Sequence, residues 1–308
     1  VKIVLAVCTY RRPDGIVRLL RAVAELKPMP EDHALDVLVI DNDTAAEGRD
    51  AVNAIAASLP FPVQAVHAAE QAGLSAARNR AAEHALSSNP HLIAFLDDDE
   101  WPQPGWLNAL LRVQRENDSD AVGGPTRPVF PAHADDEQRA NPYYGADMAL
   151  PDGAACQLQA GGNVLVRAAS LAALGATPFD PAFAESGSED LAFFTALADA
   201  GARMHWAVDA IVNESVPDER LAPGWMRQRV INIANSRVRV MQRFQTSPGA
   251  RLLRVSKTGA LGTVAGLLSV AGLFNRPLAR RAQLLRWKFL GKASAHLGRA
   301  TVRRESYP

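Results

Sequence analysis

The chain has 308 residues, 48% of them hydrophobic, which allows one large or two smaller packed domains and excludes global disorder. Two cysteines, Cys8 and Cys156, exclude a disulfide framework and lack metal-ligand spacing. The formal net charge of zero hides a division: residues 1–250 carry 21 Lys and Arg against 32 Asp and Glu, whereas residues 251–308 carry 12 basic residues against the single acid Glu305.

Val1-Lys2-Ile3-Val4 leads straight into a strand, so no signal peptide is expected. Residues 3–8 read as a buried strand, with Cys8 as a small core residue. Pro13 and Asp14 introduce a helix whose apolar positions Ile16, Leu19, Leu20, Val23 and Leu26 keep helical spacing; Pro28 and Pro30 close it. A second strand at 36–40 ends in Asp41-Asn42-Asp43, followed by a helix at 45–58, a short strand at 63–66 and a glycine-led helix at 73–86. The apolar run 92–96 is a third buried strand, and 106–116 another helix. This alternation predicts an α/β fold with a mostly parallel, Rossmann-like central sheet flanked by helices. No GxGxxG follows the first strand, which disfavours dinucleotide binding of the usual kind.

Residues 121–124 offer one more strand. The stretch 125–152 lacks periodicity and reads as a long loop. Residues 161–174 look like a strand passing into a helix, and Ser188-Glu189-Asp190 opens a helix that Gly201 stops. The last part changes character, becoming a basic amphipathic helical extension. Residues 259–274 carry no charge, a run of sixteen, short of the ~20 needed to span a bilayer. Arg251, Arg254 and Lys257 precede this run; Arg276, Arg280, Arg281, Arg286, Lys288 and Lys292 follow it. Such a segment suits an anionic membrane surface or a re-entrant element, or else a buried helical hairpin with solvated basic faces; the charge division favours the membrane. No aromatic-interleaved basic motif points to nucleic acid.

The most informative stretch is the strand 92–96 running into Asp97-Asp98-Asp99. Three carboxylates in a row repel unless something positive sits among them, and a divalent metal is the economical answer. In a parallel sheet the tips after the first three buried strands share one edge, where ligands bind. There Thr9, Tyr10 and Arg11 meet Asp41, Asp43 and Asp97–Asp99, offering acceptors for a base and ribose, a cation for phosphate, and a metal site. Singly, such residues are equally common as turn and capping residues.

The ordered set Cys8-Thr9-Tyr10-Arg11-Arg12-Pro13, Val39-Ile40-Asp41-Asn42, Gly73-Leu74-Ser75-Ala76-Ala77-Arg78-Asn79, Phe95-Leu96-Asp97-Asp98-Asp99, Gly161-Gly162-Asn163 and Glu189-Asp190-Leu191 resembles the family 2 glycosyltransferases of the GT-A fold. The resemblance spans residues 1 to about 240. It implies an inverting, metal-dependent transferase of the hexosyltransferase type, moving a sugar from a nucleotide-diphosphate donor to a hydroxyl acceptor, lipid-linked or on a growing surface glycan. Residues 1–124 would bind the nucleotide sugar, 125–250 the acceptor and catalytic base, and 251–308 would form the tail. Thr9, Tyr10, Arg11 and Arg78 would line the nucleotide pocket, and Asp41 would accept from the base, uracil by family default. Asp97 or Asp98 would hold the ribose. Asp99, with Asp97 as a second candidate, would ligate Mn2+ or Mg2+. Asp190 would be the general base and Glu189 would orient it or the acceptor, although both residues also suit any helix's first turn. Gly162 and Asn163 fall on the donor and acceptor side, and Trp101 is a candidate to cover the sugar face, whereas Trp106 reads as core. Arg227 and Arg229 either hold the diphosphate or form a solvated helix face.

Two departures stand out. Many relatives complete the metal shell with a histidine, where this chain has Ile211-Val212-Asn213-Glu214-Ser215-Val216; Asn213, Glu214, the diphosphate or water would substitute. The Gln-x-x-Arg-Trp motif of processive synthases is absent, so one transfer per encounter is expected. The expected location is cytoplasmic, peripheral at the inner membrane face. Two other readings are a sugar-1-phosphate nucleotidyltransferase, whose glycine-rich loop after the first strand is missing, and a non-catalytic nucleotide-sugar-binding protein that docks on membranes.

Overall fold

The computed structural model describes residues 1–70, 73–184 and 187–301. They form two compact units, one of residues 1–184 with 189–216, the other of residues 217–301 with 187–188. The first unit runs β1 (Lys2–Thr9), α1 (Pro13–Ala24), β2 (Ala34–Asp41), α2 (Glu47–Ile55), β3 (Val63–His67), α3 (Leu74–Ser87), β4 (Leu92–Asp97), β5 (Glu100–Pro102), α4 (Trp106–Asn117), β6 (Ala121–Gly123), β7 (Thr126–Val129), α5 (Asp136–Arg139), β8 (Val164–Arg167), α6 (Ala168–Ala172), α7 (Glu189–Asp199), β9 (Met204–Trp206) and β10 (Val212–Ser215).

Seven strands form one sheet in the order β3-β2-β1-β4-β8-β6-β9, in which only β8 runs against its neighbours. This is the mostly parallel α/β sheet expected from the alternation of elements. β1 is an uninterrupted apolar run because alternate residues feed both faces. Ile3, Leu5 and Val7 pack with the helix face Ile16, Leu19, Leu20 and Val23, while Val4 and Ala6 pack with Phe95, Phe193 and Phe194. Each such large side chain contributes roughly 1.5–3 kcal/mol by burial. The strand order reverses between β1 and β4, so the tips of these strands flank the crevice in which open α/β sheets bind ligands.

A second, three-stranded sheet, β5-β10-β7, is not legible in the periodicity because its strands are three or four residues long. The stretch 125–152, expected as a loop, contains β7 and the short helix α5, which Asp135 and Gln138 close with a capping box. β7 is an edge strand that pairs with β10 along its length and beyond it only at Thr126, bridged to Ala146, so it tolerates Pro128. The helix expected over 45–58 begins later, after Ala46 in the left-handed region at φ 56°, and its last turn is a 3-10 segment.

The second unit contains α8 (Asp218–Leu221), α9 (Pro223–Phe244), α10 (Pro248–Ala271) and α11 (Arg276–His296). The boundary expected at 251 moves to 217, because α9 packs on α11: Gly291 comes so close to the backbone of Ile231 and Asn235 that a Cβ there would collide. The halves expected at 1–124 and 125–250 share one sheet, with β6, β8 and β9 continuing from β4. Residues 302–308 of the expected basic tail lie outside the described residues.

Candidate active site

β1 and β4 lie side by side, with Cys8 opposite Asp97, so the residues after each strand meet at the reversal point. Burial, opposed by Arg78, pushes the Cys8 thiol up to about 12, which leaves it an inert filler. The three aspartates of the turn are held by arginines, Asp98 and Asp99 by Arg12 and Asp97 by Arg78. Asp98 is the brace. It accepts from Thr9 Oγ1 at 2.9 Å, from the Tyr10 N–H at 3.3 Å and from Arg12 Nη1 at 2.8 Å. Burial, opposed by Arg12, pushes its carboxyl up to about 6. Gly15 lets α1 approach this turn, since a Cβ there would lie 2.6 Å from the Asp98 carbonyl oxygen. Asp97 and Asp99 keep more of their surface: their side chains are 39% and 17% exposed, against 9% for Asp98. Of the two ribose candidates, Asp97 is therefore the accessible one, and Asp98 with Thr9 ties two strand tips together instead.

Asp99 is held by two arginines that the sequence reading left unassigned. Arg12 Nη1 lies 3.1 Å from its carboxylate. Arg18 Nη2 donates to its carbonyl at 3.1 Å, while Arg18 Nη1 donates to Ser215 Oγ at 2.8 Å. The Ser215 N–H also donates to the Asp99 carbonyl, at 3.2 Å, which places β10 beside the acidic turn. Asn213 and Glu214 thus pair in register with Trp101 and Glu100. The Arg18 guanidinium covers one face of Trp101, 4.1 Å from the ring centroid, and burial lowers its pKa.

Arg78 joins the turn to the helix that carries the base candidate. Its guanidinium donates to Asp97 at 2.9 Å, to Glu189 at 3.0 Å, and to Asp190. It is 2% exposed. Burial opposes its charge, but Asp97 and Glu189 outweigh that and raise its pKa above the ordinary value. The positive charge required among the carboxylates is thus supplied by guanidinium groups of the chain. Gly161 packs on this cluster: a Cβ there would collide with the Asp190 carboxylate and lie 3.1 Å from Arg78 Nη1.

Glu100, also unassigned from the sequence, is buried directly behind the turn. Its carboxylate accepts from the Asp97 N–H at 3.0 Å and from Thr126 Oγ1 at 3.1 Å. Burial first, then the negative charge of Asp97, raises its pKa well above the carboxylate range. Gly162 leaves room for it, since a Cβ there would lie 2.7 Å from Glu100 Oε2. Asn163, expected near donor or acceptor, is an internal brace: it is buried at φ 54°, accepts from Trp106 Nε1 at 2.7 Å, and donates to the carbonyls of Pro125 and Ala210. Its amide has no surface left for a substrate. Trp106 is core, as expected.

Asp41 also departs from expectation. Its carboxylate is enclosed, accepting from the N–H groups of Asp43 at 3.0 Å and Arg49 at 2.7 Å, and so anchors the entry into α2 rather than facing open space. Arg11 reaches Asp43 at 3.2 Å and lies beside the Tyr10 ring. In the second unit Arg227 is exposed and Arg229 stacks over Trp225 at 5.1 Å, the arrangement of a solvated basic helix face.

Among the described residues no three His, Cys, Asp or Glu side chains form a preformed metal cage. Asp97 and Asp99 are hard oxygen donors at an accessible turn, and this donor set fits Mn2+ or Mg2+ bound through one or two carboxylates, with phosphate oxygens and water as the other ligands.

The description "Glycosyl transferase family 2" matches residues 4–175. The succinoglycan biosynthesis protein ExoM of Rhizobium meliloti is 31% identical over 297 residues, 96% of this chain and 90% of that protein. The chain belongs to glycosyl transferase family 2. It is a glycosyltransferase, and the matched stretch contains the acidic turn, Arg78 and the Gly161-Gly162-Asn163 brace. The enzyme's fold is shared with mannosyltransferase PcManGT from Pyrobaculum calidifontis, solved with GDP-Man and Mn2+ (TM-score 0.67, 19% identity, 96% of this chain and 87% of that one). It is also shared with residues 1–349 of S. aureus TarS, solved with UDP (TM-score 0.53, 14% identity, 97% and 92%). The GT-A architecture expected from the resemblance is the one found.

Proposed function

We propose that the enzyme transfers a sugar from a nucleoside-diphosphate donor to a hydroxyl of a growing or lipid-linked glycan, by single displacement with inversion. The observation that carries this reading is the Arg78 bridge, which unites the accessible turn at Asp97 with the carboxylates of Glu189 and Asp190 at the start of α7. Asp190 takes the proton of the acceptor hydroxyl as its oxygen attacks the anomeric carbon; the bond from that carbon to the diphosphate breaks, and nucleoside diphosphate leaves. Arg78 donates to Asp190 and holds it in place. Glu189 accepts from the same guanidinium nitrogen, Arg78 Nη1, at 3.0 Å and helps fix it. Asp97 is placed to accept from the ribose hydroxyls, with Thr9, Tyr10 and Arg11 along the same edge.

Asp99, with Asp97, would hold Mn2+ or Mg2+, which supplies charge neutralisation to the leaving diphosphate. The local charge supports this reading: Asp97, Asp98, Asp99, Glu189 and Asp190 are five carboxylates around the three guanidiniums of Arg12, Arg18 and Arg78, which leaves the cluster negative. The ExoM likeness supports a role in surface polysaccharide biosynthesis. A uridine donor is the family default, although PcManGT was solved with GDP-Man. The basic C-terminal unit is read as the part that meets an anionic membrane, at its cytoplasmic face.

The test is a panel of nucleotide sugars with Mn2+, screened by thermal shift and then by transfer to membrane-extracted acceptors. Release of nucleoside diphosphate with inverted anomeric configuration is expected. Retained configuration would overturn the single-displacement mechanism, and release of pyrophosphate from sugar phosphate and nucleotide would mark a nucleotidyltransferase.

A further inference from the structure

α10 and the turn Gly272–Phe274 form one helical segment long and apolar enough to cross a membrane, yet only 11% of its most apolar window is buried. The sequence run of sixteen uncharged residues understated this length, because helix continues into the flanking basic residues. Of the fourteen exposed large hydrophobic side chains among the described residues, eight lie between 252 and 274. Leu252, Leu253, Val264, Leu267 and Val270 lie on the side of α10 away from its buried positions Thr258 and Ala265, and Phe274 follows in the turn after it, with Leu267 67% and Phe274 95% exposed. From Ser256 to Asn275 the only charge is Lys257. A face of this size in water marks a surface that something apolar covers.

Charge names the partner. From Arg220 to Thr301 there are sixteen Lys and Arg and no Asp or Glu. A neutral protein partner has no use for this excess, and a second copy would repel it, whereas an anionic bilayer satisfies the apolar face and the cations together.

Helix pairing decides the mode of contact. α11 runs antiparallel along α10: Thr258 Oγ1 meets His296 Nε2 at 3.1 Å, Gly262 accommodates Phe289, and Gly272 accommodates the backbone of Ala279. On its other side α11 is gripped by α9, where Asn235 Nδ2 donates to the Gly291 carbonyl at 3.2 Å and to Ser294 Oγ at 2.8 Å. A spanning α10 would drag Arg280, Arg281, Arg286 and Lys288 of its partner to hydrocarbon depth, which charged side chains avoid.

We propose that the second unit is a monotopic docking module: the outer face of α10 and the turn Leu273-Phe274 lie in the plane of an anionic bilayer, with the cations of α11 at the headgroups. The proposal rests on the membrane reading given above and specifies its residues and depth. The test uses the full chain added to preformed vesicles, followed by flotation. Binding to phosphatidylglycerol-containing vesicles is expected, weaker on neutral phosphatidylcholine, reduced by salt, and fully reversed by alkaline carbonate. Leu267→Glu and Phe274→Glu, both at exposed sites with unchanged melting, each weaken binding by about tenfold or more; Arg280→Glu with Arg281→Glu weakens binding and flattens its salt dependence. No flotation, equal flotation on neutral vesicles, or self-association abolished by the same substitutions without vesicle binding would each overturn the proposal. A carbonate-resistant fraction would overturn the in-plane mode. None of these outcomes touches transfer to a soluble acceptor, so docking and catalysis fail separately.

Discussion

The two units handle charge in opposite ways. In the first, five carboxylates at a strand tip and at the start of α7 are held by three arginines from α1, α3 and the loop after β1, so that Glu189 and Arg78 are nearly sealed from water. In the second, sixteen Lys and Arg from Arg220 to Thr301 are joined by no Asp or Glu over that stretch, and the apolar face of α10 is exposed. A cluster whose charges are answered internally is built to hold a fixed geometry, which is what a transferring site requires. A surface that carries one sign of charge from Arg220 to Thr301 is built to meet something else.

That contrast can be broken at the turn first. Asp99→Ala, or chelation of divalent cations, is expected to lower transfer about 100- to 1,000-fold and to weaken metal-assisted nucleotide binding measured by calorimetry. Undiminished transfer in either case would remove the metal from the account. Next in size is Arg78→Met. Removing this cation leaves the buried Glu189 carboxylate uncompensated, at a cost of about 3–5 kcal/mol, which denaturant melts will show as a lower midpoint.

A finer break is Gly161→Ala. The new methyl collides with Asp190 and shifts it, so kcat should fall up to about 100-fold while donor KM stays nearly constant. The smallest effect is a pH effect at Glu100. Its native pKa is raised, so the folded state keeps the proton to higher pH than the unfolded chain does. Stability is therefore full at acid pH and falls as pH rises above the ordinary carboxylate range. Glu100→Gln keeps a partner for both the Asp97 N–H and Thr126 and removes that loss. Its melting temperature should match the wild type near pH 5 and exceed it at pH 8, each kcal/mol being worth about 2–4 °C. A parallel pH profile for both proteins would show that Glu100 titrates normally.

The parallel strands and their helices were legible in the sequence because the strands are apolar runs of five to eight residues and the longer helices keep their apolar spacing over about a dozen. The acidic turn was legible because three carboxylates after a buried run have few structural uses. The partners of that turn were not. Arg12 and Arg18 belong to the helix entry and first turns of α1, and nothing in their spacing announces that they fold back on Asp98 and Asp99. Glu100 reads as a fourth surface acid until β10 and Gly162 close over it. Asn163 and Asp41 carry the right chemistry for substrate contact, yet their hydrogen bonds are used internally, a distinction that depends on residues up to 57 positions away. The three short strands of the second sheet lie below the length at which alternation is readable.

The most direct measurement is sugar transfer by Asp190→Asn, run beside nucleotide binding by the same protein. The amide keeps a hydrogen-bonding group against Arg78 but cannot take a proton. Transfer should fall by about 100- to 10,000-fold with donor affinity nearly intact. Wild-type transfer by this variant would contradict the assignment of the carboxylate at the start of α7 as the base.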